Sequence, residues 1–205
     1  MSSDDVFDRV YRSSSDPASQ RALYDDWAGS YDRDLEASGY ATPGRLARVL
    51  AEHLSDRDAP ILDVGCGTGM SGRALADAGF TTIDGADLSS GMLDQAERAA
   101  VHRRLWQLTA GELDVAPGTY RAIVACGVIG IGAAPASTLP LIAAAVGPDD
   151  LLVFSFNDQV QTDDDYMSAL AALVDSDFDK VAADEGVHIA SRNSTSIVYA
   201  LRRTR

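Results

Sequence analysis

Nine consecutive residues constrain this chain more than any others: Ile61-Leu62-Asp63-Val64-Gly65-Cys66-Gly67-Thr68-Gly69. An apolar run feeds a turn with glycine at every second position, and a helical stretch over 70–78 follows, closed by Gly79. Glycine permits backbone conformations closed to other residues and keeps side chains out of a ligand's path. In an open α/β sheet such a turn sits at the carboxyl end of a strand, where ligands bind at a switch in strand order. The rest of the sequence agrees, because short apolar runs alternate with helical stretches. Strands are predicted over 59–64, 81–86, 104–109, 120–126 and 151–156, with a closing hairpin of 187–192 and 195–202 around Arg192-Asn193-Ser194. Leu23, Trp27, Tyr31 and Leu35 form one apolar stripe and predict a helix over 17–37. Thr42 reads as the N-cap, and Pro43 as the first residue, of a helix reaching Leu54. Ser89 caps a helix to Ala100, 139–146 is helical, and Tyr166, Leu170, Leu173 and Val174 share one face of a last helix. Seven strands with helical crossovers describe an α/β, Rossmann-like, doubly wound and mostly parallel sheet.

With 205 residues the expectation is one domain over 1–205. It would comprise an N-terminal helical cap (1–54), a cofactor-binding core (59–157) and a C-terminal helix with the closing hairpin (158–205). The formal charge is −14. That argues against a nucleic-acid binder, which needs a basic face for phosphates, and against an anionic membrane surface. The acidity is local: 149–185 holds eleven acids and only Lys180, whereas 37–148 is −3. Solvation of an exposed helix is the plain explanation for the acidic segment. Two cysteines and three scattered histidines (His53, His102, His188) give no disulfide framework and no metal site. The uncharged stretch 122–148 is long enough to span a bilayer, but Pro135, Pro140, Pro148 and four glycines make it a strand, a loop and a helix. The acidic N-terminus lacks the apolar region of a signal peptide. A cytoplasmic protein is expected.

The glycine spacing identifies the ligand. A dinucleotide fingerprint runs G-x-G-x-x-G, whereas this turn runs G-x-G-x-G with Asp63 just before it. An acid there suits an ammonium group and repels a pyrophosphate. Asp87, at the end of the second predicted strand, can accept hydrogen bonds from both hydroxyls of a ribose. Ammonium at one end and ribose at the other describe S-adenosylmethionine. With Tyr24-Asp25-Asp26-Trp27-Ala28-Gly29-Ser30-Tyr31-Asp32 upstream and Leu151-Leu152-Val153-Phe154-Ser155 downstream, the chain resembles the class I S-adenosylmethionine-dependent methyltransferases, in their small methyltransferase-like branch.

The resemblance implies a seven-stranded sheet with an antiparallel last strand. It implies Gly65, Gly67 and Gly69 against the methionine part of the cofactor, Asp87 on its ribose, and Tyr31 packed beside it. The expected cofactor set is Tyr31, Asp63, Gly65, Cys66, Gly67, Gly69, Asp87, Leu88, Met92, Ala110 and Cys126. S-adenosyl-L-homocysteine would be the product. Cys66 and Cys126 read as packing residues, not nucleophiles. Where the family usually has an adenine-contacting Asp or Asn, this chain has Leu108-Thr109-Ala110-Gly111-Glu112, and Ala110 offers backbone only. No Asn/Asp-Pro-Pro-Tyr loop follows the fourth strand, which argues against nucleobase and glutamine acceptors. The expected activity is methyl transfer to an oxygen or nitrogen of a small-molecule acceptor, largely by proximity, with no catalytic base assigned. Two alternatives stand beside it: a protein that binds the cofactor without transfer, and an NAD(P)-dependent oxidoreductase.

Overall fold

The structure, a computed structural model, describes residues 17–205. The first sixteen residues of the expected N-terminal cap lie outside the described residues. Seven strands form one sheet in the order β3-β2-β1-β4-β5-β7-β6. They are β1 (Ile61–Val64), β2 (Ile83–Asp87), β3 (Arg104–Gln107), β4 (Ala122–Ala125), β5 (Leu151–Asn157), β6 (Phe178–Ile189) and β7 (Ser194–Arg203). The first five pair in parallel, and β7 runs antiparallel to both β5 and β6. Every residue of β1 and β4 is buried, as parallel strands covered on both faces are, and all but Asp63 are apolar.

Helices α1 (Pro17–Trp27), α2 (Tyr31–Ser38), α3 (Thr42–His53), α4 (Met70–Asp77), α5 (Ser90–Ala99), α6 (Thr138–Ala143) and α7 (Asp164–Val174) complete the fold. Two apolar cores flank the sheet. In one, Leu46 and Leu50 of α3 and Leu75 of α4 pack on Ile61, Ile83 and Val124. In the other, Leu139 and Ile142 of α6 and Tyr166 and Leu170 of α7 pack on Leu152, Phe154, Phe156 and Tyr199. Among the described residues no helix is long and apolar enough to cross a membrane.

Three expectations require correction. The single helix over 17–37 is two helices, separated by a turn at residues 28–30 that contains Gly29. The apolar stripe crosses this break, since Trp27 and Leu35 are both buried. Thr42 is not an N-cap; it opens α3 as its first residue, and its hydroxyl lies 2.8 Å from His188 Nδ1. The sixth strand begins at Phe178, nine residues before the expected 187. The acidic segment therefore lies partly on an edge strand, where Asp184 is paired with Arg45 and Arg48. Solvation of a helix does not account for that part of it, and charged side chains on an edge strand also discourage pairing with another chain.

Candidate active site

Where β1, β2 and β4 end, their loops enclose a cavity of about 620 Å³, at the place where the strand order reverses from β1 toward β2 and β4. Gly65, Gly67 and Gly69 have φ of +66°, +54° and +92°, the left-handed region where a side chain is strained. A Cβ on Gly65 would lie 2.5 Å from Val128, whereas one on Gly67 would meet nothing within 4 Å. The turn is sewn to β2: the N–H groups of Gly65 and Cys66 both donate to the carbonyl of Ala86, at 2.7 and 3.1 Å.

Asp87, at the end of β2, is hydrogen-bonded to this turn and lines the same cavity. One carboxylate oxygen accepts the Gly67 N–H at 2.8 Å and the other the Ser89 N–H at 2.9 Å. Two backbone donors thus fix the plane of the carboxylate, and each oxygen keeps a lone pair for a further donor. Burial pushes the Asp87 carboxyl up, and these two N–H groups pull it back. Leu88, Met92, Leu108, Ala110 and Leu113 also line the cavity. Ser89 caps α5 by accepting the Met92 N–H at 3.0 Å.

Eight of the eleven residues expected at the cofactor line this cavity: Tyr31, Gly65, Gly67, Asp87, Leu88, Met92, Ala110 and Cys126. Asp63, Cys66 and Gly69 are not among its lining residues. Asp63 is fully buried behind the turn, where one oxygen accepts the Ser71 hydroxyl at 2.7 Å and lies 3.3 Å from His102 Nε2. His102 fills a socket of glycines, since a Cβ on Gly72 or Gly85 would come within 2.5–2.8 Å of its ring. Cys66 is turned toward Gly85, 3.0 Å from where that residue's Cβ would stand. Burial raises both thiols, Cys126 to about 12. Neither is a thiolate at neutral pH, as a nucleophile would need to be.

Helices α1 and α2 form a roof over the cavity. Tyr24 and Tyr31 line it from above, and the Trp27 and Tyr31 rings meet edge-on at 4.6 Å. Two carboxylates tie the roof down. Asp25 accepts the Ser89 hydroxyl and the Gly91 N–H, the latter at 3.1 Å. Asp32 accepts the Thr68 hydroxyl of the glycine turn and pairs with Arg73 at 2.6 Å. The sequence motif around Tyr24 and Tyr31 was legible, but not that its two acids are latches. Asp32 is about one-third exposed, so its latch contributes about 1 kcal/mol. In Asp32→Ala, amide exchange over 31–38 is expected to speed by about fivefold while that of β4 is unchanged. Equal exchange in both proteins would remove the latch.

A smaller compartment of about 80 Å³ adjoins the cavity and shares Tyr24, Tyr31, Gly127 and Ala133 with it. Trp27, Leu35, Tyr40, Ile129 and Ile189 supply its apolar walls, and Ser155, Asn157 and His188 its polar ones. The close wall requires Gly127, whose Cβ would stand 2.7 Å from the Tyr40 hydroxyl. Burial holds the Tyr31 and Tyr40 phenols well above their ordinary range, so both stay protonated. Burial pushes the His188 imidazole down to about 4, with Asp158 opposing and Arg45 assisting. Neither Tyr40 nor His188 was marked by any sequence pattern.

Residues 61–148 match the family described as "Methyltransferase domain". The chain is similar to human methyltransferase-like protein 27, with 35% identity over 129 residues, covering 61% of this chain and 53% of that protein. A second relative is the dTDP-3-amino-3,6-dideoxy-alpha-D-glucopyranose N,N-dimethyltransferase of Streptomyces fradiae. It is 49% identical over 53 residues, 26% of this chain and 20% of that one. The chain thus spans about half, or less, of the curated relatives it matches. Among solved structures, the magnesium protoporphyrin IX methyltransferase of Synechocystis PCC 6803 with bound S-adenosylmethionine has the same fold. Its TM-score is 0.60 at 16% identity, covering 98% of this chain and 90% of that one.

Proposed function

We infer that this chain, whose residues 61–148 match a methyltransferase domain, is a class I S-adenosylmethionine-dependent methyltransferase that moves a methyl group to an oxygen or nitrogen of a small-molecule acceptor. The cavity's residues suit the cofactor. Gly67 leaves open space where any other residue would place a Cβ. The clamped Asp87 carboxylate offers two lone pairs at the spacing of a ribose diol. Leu88, Met92, Leu108 and Leu113 form an apolar slot for a flat base. Bound there, S-adenosylmethionine supplies a methyl group already activated by a sulfonium. The chain's own residues bind, orient and exclude water, which for such a reaction supplies most of the acceleration. The roof of α1 and α2 covers the cavity with the aromatic rings of Tyr24 and Tyr31.

The observation that carries this reading is Asp87, half-buried and held in plane by two backbone N–H groups, one of them from the glycine turn. A small neutral acceptor is supported by the size of the adjoining compartment and by the charge of −14, which opposes nucleic acid. The Streptomyces fradiae relative, named for an amino sugar, supports an acceptor of modest size. Calorimetry with S-adenosylmethionine, S-adenosylhomocysteine and NAD, followed by transfer of labelled methyl to a panel of alcohols, phenols and amines, tests the reading. Binding of the first two and a labelled product are expected. NAD binding without S-adenosylmethionine binding would overturn it, and cofactor binding without any product would favour a binding protein lacking transfer.

A further inference from the structure

His188 stands at a break in the β6–β7 ladder. Val187 pairs with Thr195 and Ile189 with Ser194, so His188 is the extra residue of a bulge. A bulge re-aims its side chain and is common beside active sites. Here it places the ring in the wall of the smaller compartment, edge-on to Tyr40 at 5.3 Å. The strand is held in this shape from outside, since the His188 carbonyl accepts the Ala41 N–H at 2.9 Å.

The other side of the ring is fixed by a chain of hydroxyls that ends in a cation. Arg45 donates from Nη1 to Ser196 Oγ at 2.9 Å, Ser196 Oγ is 3.1 Å from Thr42 Oγ1, and Thr42 Oγ1 is 2.8 Å from His188 Nδ1. Thr42 and Ser196 are fully buried. Arg45 cannot swing away: it is paired with Asp184 at 2.9 Å and donates to the carbonyls of Val187 and Ser196 at 3.1 Å. A hydroxyl beside a guanidinium turns its oxygen to the cation and its hydrogen away. The Ser196 hydrogen therefore goes to Thr42, the Thr42 hydrogen goes to Nδ1, and the one proton of the neutral imidazole is left on Nε2.

We propose that His188 is a specificity-determining residue of an acceptor compartment: its Nε2–H holds an oxygen of a small, uncharged, largely apolar acceptor beside the methyl donor. This deepens the methyltransferase reading and rests on it. The walls support the assignment of charge. Among the described residues no carboxylate, guanidinium or ammonium lines this compartment. An ammonium-bearing acceptor would meet an N–H donor on one side and the sulfonium of the bound cofactor on the other. An anionic acceptor would find no cation to pair with. An alcohol, phenol or carbonyl compound meets a donor for its oxygen and aromatic faces for the rest.

The test uses the full chain with saturating S-adenosylhomocysteine and two probes of matched shape, benzyl alcohol and benzylamine, at neutral pH. Nitrogen-15 spectra of the imidazole read the tautomer directly. We expect Nε2 to carry the proton, benzyl alcohol to shift the His188 resonances, and benzyl alcohol to bind at least tenfold more tightly than benzylamine. His188→Ala is expected to abolish that discrimination and leave S-adenosylhomocysteine affinity unchanged. Thr42→Val serves as a second variant, removing the hydrogen bond to Nδ1 without removing the ring. It is expected to mix the tautomers and weaken the discrimination. A proton on Nδ1 in the unaltered protein, equal or better binding of benzylamine, or no binding of either probe would overturn the proposal. Failure of S-adenosylhomocysteine itself to bind would sink the methyltransferase reading instead, so the two failures are distinguishable.

Discussion

Asp87→Ala is expected to lower the affinity for S-adenosylmethionine and S-adenosylhomocysteine by roughly 5- to 150-fold, or about 1–3 kcal/mol, with the fold intact. Two effects add. The substitution removes the acceptor proposed for the ribose hydroxyls, and it strands the Gly67 and Ser89 N–H groups that the carboxylate now satisfies at 2.8 and 2.9 Å. The second effect loosens the glycine turn before any ligand arrives. Asp87→Asn separates them, because an amide oxygen still accepts one of the two N–H groups and its NH2 cannot accept the other. Its loss is expected to fall between those of the parent and Asp87→Ala. Calorimetry on both variants, with far-UV spectra as a check on folding, is the measurement. Unaltered affinity in Asp87→Ala would remove this residue from the site.

Asp63→Ala is expected to do the reverse, with a large loss of stability and a smaller change in cofactor affinity than Asp87→Ala shows. Asp63 is fully buried, and so is the His102 side chain beside it. Removing the carboxylate leaves the Ser71 hydroxyl and His102 Nε2 without their partner in the interior. Breaking a buried pair of this kind costs about 3 kcal/mol or more, which for a domain of this size is a fall in Tm of about 6–12 °C. Thermal unfolding measures it. A Tm within 2 °C of the parent, together with a strong loss of cofactor affinity, would place Asp63 at the ligand after all.

Much of the fold was legible because four of its first five strands, β1, β2, β4 and β5, are almost wholly buried. A run such as Ala122-Ile123-Val124-Ala125, with every residue buried, leaves a continuous apolar signal bounded by turns. β6 carries no such signal. Its residues from Asp179 to Glu185 are half-exposed or exposed and include Asp179, Asp184 and Glu185, so their strand character comes from the long pairing with β7, not from their own pattern. The site divides in the same way. Glycine spacing and the strand-end acid mark the turn and Asp87, since both requirements are local in sequence. The direction in which Asp63 points is set by Ser71 and His102, eight and 39 residues away. The role proposed for His188 depends on Thr42 and Arg45, whose contacts with that strand span 139 residues or more. No short window of sequence contains either relation.

The carboxylates of Asp25 and Asp32 have a consequence for the order of events. The smaller compartment takes Tyr24, Trp27, Tyr31 and Leu35 from the roof. With the roof raised, that compartment loses one wall and ceases to exist as a binding place. The same roof, lowered, closes the way into the larger cavity beneath it. On the proposed function, this geometry would have the methyl donor load first, the acceptor second, and the spent donor leave last. Release of Asp25 and Asp32 from their partners would then bear on how fast the spent donor can leave.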